Sequence, residues 1–331
     1  MSSTPETVVA GGAVCWKVVD NEVRVLLVYR TQHKDVSLPK GKCDPGETVP
    51  ETAQREILEE TGLHITLGAY LGRVDYLLPS KKPKEVHYWA AEVDPGEAER
   101  SPFESNDEIF ALEWIPLKKA MKKLTYEHDA DILENFNSLY ESGRAKTFPL
   151  ILLRHAKAMP AENWDGPDHS RPLLHKGLTQ ARMVAGGILA FGPERVISST
   201  AARCIATVEP LLEKSQLELK TSAGISQDAY QSRGAKPFSA VQKRVSKRQG
   251  TVICSHGPVL PQLVSAAAEI GNGSSSKSLH RAASLNVGSF SVIHFSLDTP
   301  TPQIVAVETH EPPTARQEEP NRRTPLGARP L

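Results

Sequence analysis

Apolar residues occur along this chain in short runs typical of buried β-strands, separated by segments with helical spacing. In the first part of the chain, residues 8–17, 23–30 and 85–93 predict strands, and residues 127–139 predict a helix. Further along, residues 149–153 and 251–254 are apolar runs of strand length. Between these two runs, residues 196–212 predict a strand, a turn and then a helix.

The length of the chain and one polar segment predict its division into domains. A chain of 331 residues exceeds a typical single core and predicts about two domains. The segment ESGRAKT, residues 141–147, is short and polar, and it predicts a linker that keeps the domains near each other. We expect a first domain over residues 1–144, a second over residues 145–310, and a disordered, proline-rich tail over residues 311–331.

The segment GKCDPGETVPETAQREILEETGL, residues 41–63, predicts a short helix behind a loop that contains glycine and proline. Thr48 with Glu51 three residues later forms a capping-box pattern, so we expect the helix to start near residue 49. Gly62 is suited to a left-handed cap at the other end.

Three glutamates of this helix, Glu56, Glu59 and Glu60, have i, i+3 and i+4 spacing and therefore share one face. Like charges on one face destabilise a helix unless something positive neutralises them. Mg²⁺ does so with oxygen ligands, and it shares its coordination with substrate phosphates. The alternative is a solvated acidic face on which Arg55 pairs with Glu59.

The fixed offsets of this segment resemble the Nudix box, G-x5-E-x7-R-E-U-x-E-E-x-G-U with U apolar, at every position. The resemblance implies an α/β fold, an α/β/α sandwich with a mixed sheet. It also implies hydrolysis of a nucleoside diphosphate linked to another moiety. The metal, Mg²⁺ with Mn²⁺ as the alternative, would be held by Glu56, Glu59 and Glu60, together with the Gly41 carbonyl.

The same resemblance assigns roles around the metal. Glu47 and Arg55 would orient the helix and the loop. The implied chemistry is attack of a metal-activated water on phosphorus, in which Glu59 and Glu60 are catalytic. Glu108, which precedes an apolar strand in NDEIFALEW, matches the extra glutamate that many Nudix enzymes use as a further ligand or general base. An exposed loop carboxylate is the alternative for Glu108.

Positive charge flanks the predicted metal helix. Lys40 and Lys42 lie in the loop SLPKGK, and Arg30 ends the strand VRVLLVYR. Cations beside a carboxylate cluster suit a polyphosphate substrate, so we expect these residues to bind substrate; ordinary loop lysines are the alternative. Tyr88, Trp89 and Tyr126 are candidates for stacking on a base, although core packing is the better explanation for each.

A second group of basic residues follows the strands predicted in the later part of the chain. Arg154 and His155 end the run PLILL, His256 follows TVICS, and Arg203 opens the helix after VIS. In an open parallel sheet, ligands bind at these strand ends, so the four side chains predict an anion pocket. A single histidine after a strand is more often structural.

The order RHA, SSTAARC and SHGP resembles the histidine phosphatase superfamily over roughly residues 148–310, and HSRPL followed by GLTQA resembles its short SixA-like branch. The resemblance implies an α/β/α domain with a mostly parallel sheet. His155 would be the catalytic nucleophile, and Arg154, Arg203 and His256 would hold the phosphoryl oxygens. Neighbouring cations would lower the pKa of His155. Arg171 is a further phosphate contact.

The chain departs from this second pattern in two places. Ala156 replaces the glycine of the usual RHG start. Larger members of the superfamily carry a glutamate that protonates the leaving group, and the chain has no clear match. Asp165, Asp168 and Asp228 are the candidates for that role.

A chain that combines these two patterns resembles the two-domain MutT proteins of actinobacteria. This resemblance implies Mg²⁺-dependent hydrolysis of 8-oxo-(deoxy)guanosine triphosphate, with dinucleoside polyphosphates as further substrates and diphosphoinositol polyphosphates as the alternative. A second hypothesis is that removal of phosphate from phosphohistidine or phosphomonoesters is the main activity. A third is that the second domain does not catalyse and serves as a docking or dimerisation module.

The composition of the chain restricts the classes of partner that it is expected to bind. The formal net charge is zero, which argues against a broad electrostatic footprint for nucleic acid or membrane. No apolar run approaches the roughly 20 residues needed to span a bilayer, and the start of the chain lacks the pattern of a secretory signal. The four cysteines lack metal or redox spacing and fit a reducing cytoplasm. We expect nucleotide substrates; the sequence does not indicate an oligomeric state.

Overall fold

A computed structural model of the chain describes residues 7–31 and 34–314. The first sheet and its helices come from the first part of the chain. Its strands are β1 (Val8–Val19), β2 (Glu22–Arg30), β3 (Asp35–Ser37), β4 (Lys40–Lys42), β5 (Tyr70–Leu77), β6 (Pro83–Glu92) and β7 (Ile109–Pro116). Its helices are α1 (Val49–Thr61), α2 (Pro95–Arg100), α3 (Leu117–Lys123) and α4 (Glu127–Glu141).

The first sheet is mixed, as the sequence predicts. Its main path runs β3-β2-β1-β6-β5, with β4 paired to β1 and β7 paired to β2. Among the strand pairs of the described residues, β1 and β6 run parallel, and the other pairs of this sheet are antiparallel. Helix α1 packs over one face of this sheet through Ala53 and Ile57, and helix α4 packs over the other through Ile132, Leu133 and Phe136. This is an α/β/α sandwich.

The second sheet is built from the later part of the chain. Its strands are β8 (Thr147–Arg154), β9 (Arg195–Ser198), β10 (Leu219–Thr221), β11 (Thr251–Ser255), β12 (Phe290–Ser296) and β13 (Ile304–His310). The helices around it are α5 (His175–Leu189), α6 (Ala202–Glu213), α7 (Gln227–Gln231), α8 (Pro237–Val245), α9 (Leu260–Ile270) and α10 (Lys277–Ala283).

The second sheet has the order β10-β9-β11-β8-β12-β13. Strands β10, β9, β11 and β8 are parallel, and β12 and β13 are antiparallel additions at one side. The expectation of a mostly parallel sheet is therefore confirmed. Because β9, β11 and β8 are neighbours, their carboxyl ends meet at one edge, where the predicted basic residues follow them.

The two sheets share a buried core. One apolar cluster includes Ile57 and Leu63 from the first domain and Val184, Ile188 and Phe191 from α5 and the segment after it. The Leu67 amide donates to the Ala190 carbonyl at 2.9 Å, which adds a backbone contact across the junction. Helix α1 is thus covered by the first sheet on one side and by α5 on another.

Helix α1 begins and ends where the sequence predicts, but its N-terminal cap differs from the prediction. The helix begins at Val49, and Gly62 caps it with φ 69°, as predicted. The prediction that Thr48 caps the helix with its side chain is wrong, because this side chain makes no cap hydrogen bond. Its buried hydroxyl has no partner in the described part of the chain, and it lies where a Cβ on Gly187 of α5 would meet it at 2.1 Å. Packing against α5 therefore determines the position of this hydroxyl.

Among the described residues, the structure contains no helix with the length and apolar character that a membrane crossing requires. The predicted tail, residues 311–331, falls largely outside the described residues, which end at Thr314.

Candidate functional site

Arg55 organises the carboxylates of the predicted metal helix. Its Nε and Nη2 donate to the two carboxylate oxygens of Glu47 at 2.7 and 2.9 Å. Its Nη1 donates to Glu56 and to Glu59, both at 3.0 Å, and Nη2 also donates to the Lys42 carbonyl at 3.0 Å. The Arg55–Glu59 pair of the alternative interpretation is present. It belongs to a larger group that ties α1 to the preceding loop.

Gly41, Glu56 and Glu60 lie together at the junction of β4 and α1. A Cβ on Gly41 would lie 1.9 Å from the carboxyl carbon of Glu56, so the missing side chain leaves the space that this carboxylate fills. Glu60 is buried and accepts a hydrogen bond from the Lys40 amide at 2.8 Å. Glu59 is exposed. The three box glutamates therefore occupy different environments although they share a helix face.

The carboxylates of this group repel one another. Burial raises the pKa of Glu60 to about 8; Lys40 opposes this rise, and the negative charges of Glu108 and Glu56 add to it. Burial also raises the pKa of Glu56, with Glu59 and Glu108 contributing in the same direction. Glu108, an exposed residue just before β7, is thus near enough to act on both box glutamates.

These residues fit a hard divalent cation. The donors are carboxylate oxygens beside the Gly41 backbone, and their mutual repulsion is what a cation would relieve. Within residues 7–31 and 34–314, no three histidine, cysteine or acidic side chains converge as a ready-made metal cluster. Arg55 donates hydrogen bonds to both Glu56 and Glu59, so a cation held by these two carboxylates would compete with its guanidinium group.

The predicted substrate-binding cations have different surroundings. Arg30 donates from Nε to Asp35 at 2.8 Å. Lys40 is buried, and its ammonium donates to Ser37 and to the Leu38 carbonyl, so it points into the protein. Lys42 is exposed at the end of β4.

Sequence reasoning missed Lys84, a buried lysine on β6. Burial lowers its pKa to about 8, and the positive charges of Lys40, Arg30 and Lys42 lower it further, so these four cations lie near one another. Lys84 alternates with Val86 and Tyr88 along a buried face of the strand. A lysine at an otherwise apolar position of an alternating strand is the signal that could have found it.

An aromatic group is present in the same domain. The His128 ring stacks on Tyr126 with ring centroids 5.3 Å apart and on Tyr76 with centroids 5.1 Å apart. The Tyr126 hydroxyl donates to Asp35 at 2.8 Å, which links the stack to Arg30. Tyr88 is fully buried in an apolar cluster of the first domain, and Trp89 is fully buried in the cluster that the two domains share, as core packing predicts.

The second group of basic residues converges at the carboxyl edge of the parallel sheet. Arg154 ends β8, and His155 follows it, with its amide donating to the Ser255 carbonyl at 3.1 Å. His256 follows β11, and its ring centroid lies 5.3 Å from that of His155. Arg203 reaches the same place from the first turn of α6.

His155 is held in one tautomer. Its Nδ1 lies 2.9 Å from the Ala156 carbonyl, which can only accept, so Nδ1 carries the hydrogen and Nε2 keeps a lone pair. Burial lowers the pKa of His155 to about 4, and Arg203, Arg154 and Arg171 lower it further. The expected effect of neighbouring cations is present, but burial is the larger cause.

His256 is fully buried and bonded at both nitrogens. Arg203 donates from Nη2 to Nδ1 at 3.2 Å, so Nε2 carries the hydrogen and donates to the Ser199 hydroxyl at 2.8 Å. Burial lowers the pKa of His256 to about 3, and the charges of His155 and Arg203 add to this effect. Both imidazoles are therefore neutral at physiological pH.

Asp168 pairs with two of the predicted phosphate-binding arginines. It accepts from Arg203 at 2.9 Å and from Arg171 at 2.8 Å. Burial alone would raise the pKa of Asp168, but the hydrogen bond from Arg171 and the charge of Arg203 hold it below its usual range. Asp168 is thus ionised and unsuited to be the missing acid. Asp228 is exposed, 3.8 Å from His169.

Two guanidinium nitrogens in this pocket have no partner among the described residues. The Nε atoms of Arg154 and Arg203 are buried and unbonded, although Arg154 donates from Nη1 to the Leu285 carbonyl at 2.7 Å. Buried donors without a partner are costly, and a bound oxyanion would satisfy them.

Each of the two parts of the chain matches the model of a known protein family. A family model described as NUDIX domain matches residues 10–136. A second, described as histidine phosphatase superfamily (branch 1), matches residues 150–227.

Relatives match one or both parts. The 8-oxo-(d)GTP phosphatase of Mycolicibacterium smegmatis is 35% identical over 271 residues, which cover 78% of this chain and 80% of that protein. The asymmetrical bis(5'-nucleosyl)-tetraphosphatase of Rattus norvegicus is 39% identical over 93 residues, 27% of this chain and 60% of that protein.

A solved structure of a candidate phosphohistidine phosphatase SixA from Agrobacterium tumefaciens is 20% identical, with a TM-score of 0.37 over 49% of this chain and 98% of that one. The long match to the mycobacterial phosphatase extends over most of both chains, so it covers both domains. The protein is therefore an enzyme of the Nudix hydrolase family, in the two-domain form in which a histidine phosphatase domain follows the Nudix domain.

Proposed function

We propose that this protein hydrolyses phosphoanhydride bonds of nucleoside polyphosphates with Mg²⁺, and that 8-oxo-(d)GTP is its main substrate. The carboxylate group that Arg55 assembles beside Gly41 carries the proposal, because it gathers several carboxylates around a single guanidinium charge. The name of the 8-oxo-(d)GTP phosphatase relative supports the choice of base. The tetraphosphatase relative supports dinucleoside polyphosphates as further substrates.

The residues have separate roles in this proposal. Glu56, Glu59, Glu60 and the Gly41 carbonyl hold the cation, and Glu108 acts as a further ligand or as the base. When bound, the cation neutralises phosphate charge and polarises a water molecule. Glu47 and Arg55 position α1 against its loop. In this proposal, Arg30, Lys42 and Lys84 supply positive charge for the polyphosphate, and the buried Lys40 adds to it.

Replacement of Glu56 or Glu59 by Gln tests the metal site. Each change removes a charged oxygen donor, and we expect turnover of 8-oxo-dGTP to fall by at least the about 10- to 100-fold typical of residues that only orient metal ligands. Glu134→Gln, at an exposed position of α4, is the matched control and keeps the rate. Circular dichroism checks folding. Rates near wild type in both box variants would remove the proposal.

Phosphoryl transfer at His155 is the second candidate function. Its Nε2 keeps a lone pair, and Arg154 and Arg203, whose charges act on His155, each have an unpartnered Nε atom among the described residues. These features favour attack on a phosphoryl group held by the two arginines. Arg171 acts through Asp168, which orders both guanidinium groups.

Trapping of a phosphoryl group on the protein tests this candidate. We expect ³²P from a phosphoramidate donor to label wild-type protein at position 155, and His155→Ala to remove the label. His175→Ala, at the exposed start of α5, is the control. Absence of label on wild-type protein, with a His155→Ala protein that behaves like wild type, would exclude it.

A further inference from the structure

The groups already assigned to the pocket around His155 do not include one that could protonate a leaving group. Asp168 is ionised, because Arg171 and Arg203 hold its pKa below the usual range. The His155 ring gives its hydrogen to a backbone carbonyl, and the His256 ring gives its hydrogen to a serine hydroxyl. An alcohol that leaves phosphorus needs a proton, so hydrolysis of ordinary phosphate esters requires a further donor.

The loop that carries Asp168 is fixed against the pocket. Its two ends lie side by side, because the Met159 amide donates to the Pro172 carbonyl at 2.9 Å. Asp168 itself accepts twice from Arg203, through its backbone carbonyl at 2.7 Å and through its carboxylate at 2.9 Å. The next residue, His169, is therefore held beside the arginine by the backbone of its neighbour.

Helix α7 brings a carboxylate to the same place from another part of the chain. The Gln227 side chain accepts from Nη2 of Arg203 at 3.5 Å, and Asp228 is the next residue. A carboxylate oxygen of Asp228 lies 3.8 Å from Nδ1 of His169. Arg203 is fully buried, whereas His169 and Asp228 are exposed. Two segments that both contact Arg203 thus place a histidine–aspartate pair on its solvent side.

The solvent side is where a leaving group would depart. Nη2 of Arg203 lies 3.2 Å from Nδ1 of His256, and the His256 ring centroid lies 5.3 Å from that of His155. In phosphoryl transfer, the attacking and leaving atoms are roughly in line with phosphorus. Attack by His155 therefore directs the leaving oxygen away from the two buried rings and toward the outer side of Arg203.

We propose that His169 is the proton donor of the second domain, and that Asp228 orients its ring. This inference rests on the second candidate function, phosphoryl transfer at His155. As the bond from phosphorus to Nε2 of His155 forms, the bond to the leaving oxygen breaks, and this oxygen takes the proton from His169. Water then attacks the phosphorylated His155, releases inorganic phosphate and returns a proton to His169.

Histidine suits this exchange because it gains and loses a proton near neutral pH. The substrates that His169 adds are phosphate monoesters of alcohols, whose leaving groups are poor without a proton.

A comparison of two esters with the full chain tests the role of His169, in EDTA to suppress metal-dependent hydrolysis at α1. Nitrophenolate leaves from p-nitrophenyl phosphate without a proton, whereas glycerol does not leave from glycerol phosphate. We expect His169→Ala to lose about 10²- to 10⁴-fold of the glycerol phosphate rate and to keep most of the nitrophenyl rate. Asp228→Asn should show the same selectivity with a smaller loss. His64→Ala, at an exposed position after α1, is the control and keeps both rates.

Labelling with a ³²P-phosphoramidate separates the failure of this inference from that of the candidate function. We expect the label at position 155 to persist in His169→Ala, because the nitrogen of a phosphoramidate is already protonated when it leaves. With label present, equal losses on both esters, an unchanged glycerol phosphate rate in His169→Ala, or no glycerol phosphate turnover by wild-type protein would each overturn the role of His169 alone. No label on wild-type protein and no turnover of either ester would remove phosphoryl transfer at His155, and this inference with it.

Discussion

At the scale of single residues, Arg55 shows how one side chain arranges the chemistry of its neighbours. Its guanidinium group contacts Glu47 in a bidentate manner and reaches Glu56 and Glu59 with the remaining nitrogen. Such forked pairs are geometrically specific, and a lysine cannot reproduce them. Glu56 is therefore held against Gly41 by contacts that the spacing of the box makes possible.

The Glu56 carboxylate occupies the space beside Gly41. A methyl group at position 41 is therefore expected to displace it. In Gly41→Ala, the Cβ would meet the Glu56 carboxyl carbon at 1.9 Å, and β4 pairing with β1 prevents a simple backbone shift. We expect an about 10- to 100-fold loss of metal affinity, measured by Mn²⁺ titration. Gly224→Ala, where the nearest atom would lie at an ordinary 3.4 Å, is the control. Unchanged affinity in Gly41→Ala would contradict the assigned position of Glu56.

The two neutral imidazoles of the second domain predict a pH dependence of stability. Burial and nearby positive charge hold their pKa values at about 4 for His155 and about 3 for His256, below the ordinary 6.5. At pH values between the lowered pKa of each histidine and 6.5, the unfolded chain binds a proton at that histidine and the folded chain does not. Stability must therefore fall as the pH drops below 6.5, by about 1.4 kcal/mol per pH unit for each histidine.

Urea unfolding at pH 7.5 and 5.5 measures this effect. Wild-type protein should lose more stability over this interval than His155→Asn or His256→Asn. The comparison with variants is needed because Glu60, whose pKa is raised, changes stability in the opposite direction. Equal losses in all three proteins would show that these histidines titrate normally.

Residues with fixed spacing could be predicted from the sequence, and isolated ones could not. The offsets of Gly41, Glu47, Arg55 and the box glutamates were enough to locate one carboxylate group. Lys84 has no such spacing, because its neighbourhood with Arg30 and Lys40 arises from pairing of distant strands. The ionisation of Asp168 also depends on a contact with Arg203 across 35 residues.

At the scale of elements, a pair of glycines lets α5 approach α1 closely. A Cβ on Gly187 would lie 2.1 Å from the Thr48 hydroxyl and 3.0 Å from its Cβ. A Cβ on Gly186 would meet only the end of the Glu51 side chain, with its Oε1 at 1.9 Å. Thr48 is short and fixed at the start of α1, whereas Glu51 can change rotamer.

The two glycines are therefore expected to respond differently to Ala. Alanine normally favours a helix over glycine by about 1 kcal/mol, but overpacking costs about 1–3 kcal/mol. Gly187→Ala should destabilise the protein in urea unfolding, and Gly186→Ala should change its stability by less than about 1 kcal/mol. Removal of the Thr48 side chain beyond Cβ, in Thr48→Ala/Gly187→Ala, should recover part of the loss. Two equally stabilising glycine variants would contradict the close approach.

The strands at the second site were predictable because an apolar run followed by a basic residue marks each strand end. The capping box was not, since Thr48 has the right sequence for a cap and a different neighbour in the fold. Contacts between the first and second parts of the chain leave no local pattern, so the packing of α5 on α1 could not be predicted.

At the scale of the whole molecule, the two domains form one body. They share an apolar cluster, and a buried polar contact joins them. The Trp89 indole N–H of the first domain donates to both oxygens of Glu308 on β13, at 3.0 and 2.9 Å. Burial alone would raise the pKa of Glu308, but hydrogen bonds from His294 and His310 outweigh it and lower the pKa to about 2.

Cooperative unfolding follows from this junction. We expect calorimetry to show a single transition for the wild-type protein, because one of the apolar clusters of the described residues contains side chains of both domains. Trp89→Phe removes a hydrogen bond to a buried charge and should cost about 1–3 kcal/mol. Trp114→Phe, at a partly exposed ring near Lys17, is the control and should cost less. Two separate transitions in the wild-type protein would contradict a shared core.

The same junction bears on the role of the second domain. Cover by α5 supports α1, so a docking role for this domain is compatible with phosphoryl transfer at His155. We propose domain limits at residues 144 and 145, within the segment between α4 and β8. This division separates the chain into two sheets, while the folded cores remain joined.

The most direct test of the proposed function is the rate of hydrolysis, expressed as kcat/KM with Mg²⁺, for a small substrate panel. The panel contains 8-oxo-dGTP, dGTP, diadenosine tetraphosphate and a diphosphoinositol polyphosphate, with wild-type, Glu59→Gln and His155→Ala proteins. We expect the highest value for 8-oxo-dGTP, lost in Glu59→Gln and kept in His155→Ala. A preference for another substrate would contradict the proposed base, and loss of turnover in His155→Ala alone would place the reaction in the second domain.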